Sequence, residues 1–144
     1  MTASFLYFDI LKTLEVHELI LRESGGRSGI INQGILESII DHIQNDIYYP
    51  ELEDKLTHLV FAVAKSHGFV DGNKRTSLGL AGYFLELNGF DYCVSKFFIE
   101  MENIVVWVVE NKIGKDLLKK IISSILFEDD YSEELKLSLF QAIG

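Results

Sequence analysis

A chain of 144 residues, 48% of them hydrophobic and with a single proline, is one domain's worth of sequence and can bury a sizeable core. A formal net charge of −9 argues against direct nucleic-acid binding, which needs a basic face, and one cysteine, Cys93, excludes an internal disulfide and fits a reducing compartment. The apolar run around 104–109 falls far short of the ~20 residues that cross a bilayer, and Met1 to Phe8 lacks the features of a signal peptide, so a cytoplasmic protein without membrane contact is expected.

Helical periodicity dominates the chain, and strand-like alternation is scarce. Asp9 is placed to cap a first helix with Ile10, Leu14, His17 and Leu21 on one face, stopping at Gly25-Gly26. His17 on that face reads as a buried, hydrogen-bonded structural residue. Asn32 opens a second helix that buries Leu36, Ile39, Ile40 and Ile43. The stretch from Asn45 to Pro50 interrupts the pattern, and Pro50 suits the first turn of a third helix running to about His67, with Leu56, Leu59, Val60 and Val63 inward. His42 and His58 are assigned to helix surfaces.

A fourth helix, from about Asn73 to Asn88, is apolar nearly all round and therefore central. Gly89 ends it, and Phe90 to Val94 reads as a short extended link. Helices over roughly Phe97–Glu110, with Trp107 in the core, and Lys115–Phe127 follow, with a last one from Ser132. No repeat or second domain interrupts this pattern. The expectation is an all-α, compact single domain over residues 1–127, with an acidic helical extension over 128–144 packed on it.

The chemistry concentrates between helices three and four. A short loop there, containing Asp71-Gly72, folds the two into an antiparallel pair and sets His67 beside the free N–H groups of helix four. First helical turns favour carboxylates, yet this helix opens with Lys74-Arg75; two cations on a positive helix end cost roughly 0.3–1 kcal/mol each unless an anion neutralises them. Phosphate meets that need, because N–H donors, a lysine and an arginine form a ready cradle, which Gly72 lets a ligand approach closely. Lys65 adds to the local basic balance. Asp71 is suited to a magnesium ion, which takes only one or two protein carboxylates beside phosphate oxygens. His67 is a suitable base for an incoming hydroxyl, and Phe69 is expected to point into the core and fix the loop.

The run from His67 through Gly68, Phe69, Val70, Asp71, Gly72, Asn73 and Lys74 to Arg75 resembles the signature of the Fic/Doc superfamily, H-x-F-x-(D/E)-G-N-G-R-x-x-R in its Fic form. The resemblance extends through His17-Glu18, Gly25-Gly26, Gly29-Ile30, Leu36-Glu37-Ser38, Thr76-Ser77-Leu78 and Leu87-Asn88-Gly89, covering roughly residues 9–127. It implies a compact helical fold and an enzyme that modifies a protein hydroxyl with ATP and Mg2+. His67 would be the general base, and Asp71 the metal ligand; Gly72, Asn73, Lys74 and Arg75 would hold the phosphates, with His67, Asp71 and Arg75 forming the catalytic set.

Fic members transfer AMP. Doc (death-on-curing) members bind the nucleotide reversed and transfer the γ-phosphate, with elongation factor Tu as target and an antitoxin as restraint. Lys74 in place of a Fic glycine, and Leu78 in place of the second Fic arginine, favour the Doc-like toxin kinase. A nucleotidyl-transferase and a non-enzymatic partner-binding module are the alternatives. The resemblance also puts a short target-binding flap between helices two and three, where Ile47, Tyr48 and Tyr49 have the β-propensity to pair with a target strand; the alternative is a loop whose tyrosines merely pack down. The inhibitory helix of self-restrained Fic proteins matches only partly around Ser124–Glu128, and Leu78 offers Glu128 no partner, so a separate antitoxin is the expected restraint. The acidic tail is a second candidate cover for the basic site.

Overall fold

The computed structural model describes residues 4–144. Seven α-helices carry the fold: α1 (Ile10–Ser24), α2 (Gln33–His42), α3 (Leu52–Lys65), α4 (Asn73–Leu87), α5 (Val94–Val109), α6 (Lys115–Phe127) and α7 (Glu133–Ile143). The described residues form no strand beyond one isolated bridge, so the all-α expectation is met. No helix is long and apolar enough to cross a membrane among them.

Local chemistry sets most of the boundaries. The side chains of Asp9, Asn32 and Ser132 accept the N–H groups of Lys12, Ile35 and Leu135, each an N-cap satisfying an orphan donor. Gly25 and Gly89 follow α1 and α4 at φ 78° and 83°, a region that favours glycine. α3 opens one residue beyond Glu51, in a capping box with Asp54, so Pro50 stands ahead of the helix and not in its first turn. The link after α4 is a 3-10 turn over Asp91–Cys93 and not extended, because the Cys93 N–H closes back onto the Phe90 carbonyl at 3.0 Å.

α4 lies at the centre, packed against α3 on one side and α1 and α5 on others, as its all-round apolar surface demands. Its Leu80, Ala81, Phe84 and Leu85 are fully buried in the main core, with Leu56, Leu59 and Val60 of α3 and Phe97, Met101 and Val108 of α5. α7 packs on α6 and contributes only Leu135 to the buried set. Trp107 is half-buried at the edge of the core, where Val105 and Val108 take the interior positions.

The connection between α2 and α3 is the short segment where the flap is expected. Its residues form turns: the Asn45 side chain accepts the N–H groups of Ile47 and Tyr48, and the Tyr49 N–H donates to the Asn45 carbonyl. Lys55 of α3, fully buried, donates to the Ile43 carbonyl and to Asp46, both at 2.7 Å, which staples the start of the turn to the helix. Ile47 and Tyr48 remain exposed, while Tyr49 stacks on His58 at 4.6 Å between ring centroids. His58 is accordingly not on an open helix surface: its Nδ1 accepts from the Tyr49 hydroxyl and the Lys115 ammonium. Burial, helped by Lys115 and His42, lowers its pKa to about 4.

Candidate active site

α3 ends at Lys65, before His67. The Ser66 hydroxyl donates to the Val63 carbonyl and accepts the Gly68 N–H, closing the helix early. The chain then turns through His67 at φ 52°, a left-handed conformation uncommon for a residue with a Cβ. That turn leaves the imidazole exposed at the lip of the loop. Lys65 does not join the site, since its ammonium lies over the Phe61 ring and donates to Asn111.

The loop from Gly68 to Gly72 is held from three directions. Gly68 is buried so tightly against Leu36 of α2 that a Cβ there would lie 2.6 Å from its side chain. Its carbonyl accepts from the N–H groups of Ile31 and Asn32 at 2.8 and 3.0 Å, and the Val70 N–H donates to the Gly29 carbonyl at 3.0 Å. These bonds make the antiparallel bridge between Ile30 and Phe69. Phe69 is buried, as expected, and its ring lies on the His17 imidazole at 3.7 Å and 5° between planes. His17, 2% exposed, donates its Nε2–H to the Asp71 carbonyl at 2.8 Å, which fulfils the structural reading of that residue.

Asn73 closes the loop from the α4 side. Its side-chain oxygen accepts the Phe69 N–H at 3.1 Å, and its amide donates to the Phe69 carbonyl at 3.0 Å. The side chain is therefore engaged by the loop and not extended toward a ligand; what Asn73 offers an anion is its backbone N–H. Gly72 precedes it as a left-handed cap at φ 79°, and the first helical bond of α4 runs from the Thr76 N–H to the Gly72 carbonyl at 2.9 Å. The N–H groups of Asn73, Lys74 and Arg75 come before that bond and have no helical acceptor. The first turn contains no acidic residue. Lys74 is exposed and Arg75 half-buried, and neither forms an ion pair among the described residues.

The Asp71 carboxylate faces the loop that follows α1. It accepts the Arg27 N–H at 3.0 Å on one oxygen and the Gly72 N–H at 2.8 Å on the other. Those backbone bonds, with Arg75 and Arg27 nearby, hold its pKa below the ordinary carboxylate value. Arg75 donates to the Gly25 carbonyl at 3.1 Å. No group of three or more His, Cys, Asp or Glu side chains gathers among the described residues. An ionised, half-exposed carboxylate with lone pairs to spare still fits magnesium, which takes one protein carboxylate when phosphate oxygens supply other ligands.

The loop after α1 is the part of the site that the sequence reading missed. Gly25 and Gly26 were legible as a helix stop, but not as a surface pressed onto Asp71 and Arg75. A cation directly after a glycine pair was the available signal for Arg27. The residues Ile47, Tyr48 and Tyr49, by contrast, pair with nothing at the motif loop; the backbone that runs beside it is Gly29–Asn32.

The Fic/DOC family model matches residues 7–85, more than half of the chain and the whole of the loop described above. A protein of Mycolicibacterium smegmatis named Toxin Doc is 38% identical over 69 residues, covering 45% of this chain and 53% of that protein. Another, from Escherichia phage P1 and named Protein kinase doc, is 38% identical over 80 residues, covering 53% and 63%. The chain thus spans between half and two thirds of the length of these relatives. With the signature residues assembled around one loop and the family model covering that loop and its supporting helices, the chain belongs to the Fic/DOC family.

Proposed function

We propose that this chain is a Doc-like toxin of a toxin–antitoxin pair, a protein kinase that transfers the γ-phosphate of ATP to a hydroxyl of a target protein such as elongation factor Tu. The single observation that carries the reading is the start of α4, where free N–H groups, Lys74 and Arg75 converge with no acidic residue in the turn. The names of the two relatives, a toxin and a protein kinase, support the same class.

In this mechanism the N–H groups of Asn73, Lys74 and Arg75 and the two cationic side chains hold the phosphates and spread their charge. Asp71 would hold magnesium, which would supply positive charge to offset that of the phosphates. His67, at the exposed lip, takes the proton of the target hydroxyl as its oxygen bonds to the γ-phosphorus. The bond from that phosphorus to the β–γ bridging oxygen breaks, and its electron pair leaves with ADP. Phosphoryl transfer asks a protein for little beyond positioning and charge stabilisation, and the braced loop supplies positioning.

The test is label transfer in a bacterial lysate and to purified elongation factor Tu, with magnesium and either γ- or α-labelled ATP. Transfer from the γ position alone, reduced ~10²–10⁴-fold by His67→Ala, is the expected result. Label from the α position would replace the kinase by an AMP-transferase. The absence of any His67-dependent label would overturn the enzymatic reading in favour of a partner-binding module. In the same reading, expression slows host growth and His67→Ala relieves it.

A further inference from the structure

The start of α4 supplies two cations to the proposed phosphate cradle. Its first two turns, from Asn73 to Leu80, carry Lys74 and Arg75 and no other basic residue. A magnesium-bound triphosphate is left with about two negative charges, and Lys74 and Arg75 are partly offset by Asp71 beside them. One further cation would balance the site.

The loop after α1 brings one there. Gly26, at φ 125°, lies so close to the site that a Cβ would fall 2.9 Å from the Asp71 carboxylate and 3.2 Å from the Arg75 guanidinium. The next residue, Arg27, donates its backbone N–H to that carboxylate at 3.0 Å, which fixes its Cα at the edge of the cradle. Its side chain is exposed and forms no ion pair among the described residues. A forked, permanently charged donor left free beside a phosphate cradle is suited to bidentate contact with phosphate oxygens.

We propose that Arg27 is the third cationic clamp of the nucleotide site, reaching from the loop after α1 to the phosphate oxygens opposite Lys74. The inference rests on the nucleotide-dependent reading above and adds to it a phosphate-binding residue from outside the signature. Arg27 closes the cradle from the side that α4 cannot reach. Its backbone N–H orients Asp71 while its side chain meets the ligand, so nucleotide and Asp71 are coupled through one residue.

The experiment is calorimetric titration of the whole chain with a non-hydrolysable ATP analogue and magnesium, and in parallel with AMP. Variants are Arg27→Ala, Arg27→Lys and, as a charge control at an exposed position of α1, Arg22→Ala. Arg27→Ala keeps the backbone N–H on Asp71, and an unchanged melting temperature verifies that the loop persists. The expected result is triphosphate affinity about ten- to a hundredfold weaker in Arg27→Ala, partly restored in Arg27→Lys, with Arg22→Ala unchanged and AMP less affected. Equal triphosphate affinity in Arg27→Ala and the unsubstituted chain would overturn the proposal while leaving the nucleotide reading intact. Equal weakening by Arg22→Ala would reduce it to a general charge effect and also overturn it. No binding by the unsubstituted chain would overturn both.

Discussion

Asn73 uses both ends of its amide on the backbone of Phe69, so the residue that begins α4 braces the motif loop instead of reaching into the cradle. Removing that brace leaves an N–H and a carbonyl of a buried residue without their partner. Asn73→Ala should therefore lower stability by about 1–3 kcal/mol, and Asn73→Asp, which keeps the acceptor but not the donor, should fall between. Thermal unfolding checks the order, and a variant as stable as the parent would refute the brace. His58 makes a second residue-scale prediction. Its folded pKa, about 4, lies below the ordinary histidine value of 6.5, so the unfolded chain binds the proton more readily. The stability tied to its neutral form is full above about pH 6.5 and is lost as the pH falls towards 4. His58→Asn retains an acceptor for Tyr49 and Lys115 but does not titrate. Its melting temperature should decline less steeply than the parent's across that window.

Among the elements, two glycines that both touch a neighbour closely differ in what that neighbour can do. A Cβ at Gly68 would meet Leu36, which is 1% exposed and has nowhere to go; a Cβ at Gly82 would meet the tip of the Phe98 ring, which is 40% exposed and can swing outward. Gly68→Ala should cost on the order of 1–3 kcal/mol, and Gly82→Ala clearly less, in chemical denaturation. The reverse order would mean that the α4–α5 contact, and not the loop seat on α2, is the rigid one. This contrast also marks how far the sequence could be read. The caps at Asp9, Asn32 and Ser132 and the stops at Gly25 and Gly89 depend on neighbours a few residues away, so local chemistry revealed them. Arg27 and Asp71 are 44 positions apart, and the Gly68 seat on Leu36 is likewise a product of packing; neither leaves a periodic trace. The segment after α2 was legible only as two alternatives, because Ile47, Tyr48 and Tyr49 have the composition of a strand while the turns held by the buried Lys55 and the His58 stack depend on packing.

Across the whole molecule, the site and its supports lie in the first five helices, while α7 sits on α6 and buries only Leu135. A chain ended before Ser132 should lose more than the ~1.5–3 kcal/mol that the buried Leu135 contributes alone, since Leu139, Ala142 and Ile143 also pack against the core, and keep its nucleotide affinity. Circular dichroism with titration decides this, and loss of affinity on truncation would tie the acidic helix to the cradle. The fold's general plan was legible because α4 is apolar on every side, which only a central helix can be.

The face-to-face contact of His17 with Phe69, at 3.7 Å and nearly parallel, also provides a reporter. Each ring lies in the magnetic shielding cone of the other, so the imidazole carbon-bound protons of His17 should resonate well upfield of those of an exposed histidine. Because the same imidazole is tied to the Asp71 carbonyl, any shift of the loop on filling the cradle changes that shielding. Nuclear magnetic resonance of one buried ring can thus follow events at the site without a label on substrate or target, and a resonance that stays still as nucleotide is added would mean that the loop is already in its working position.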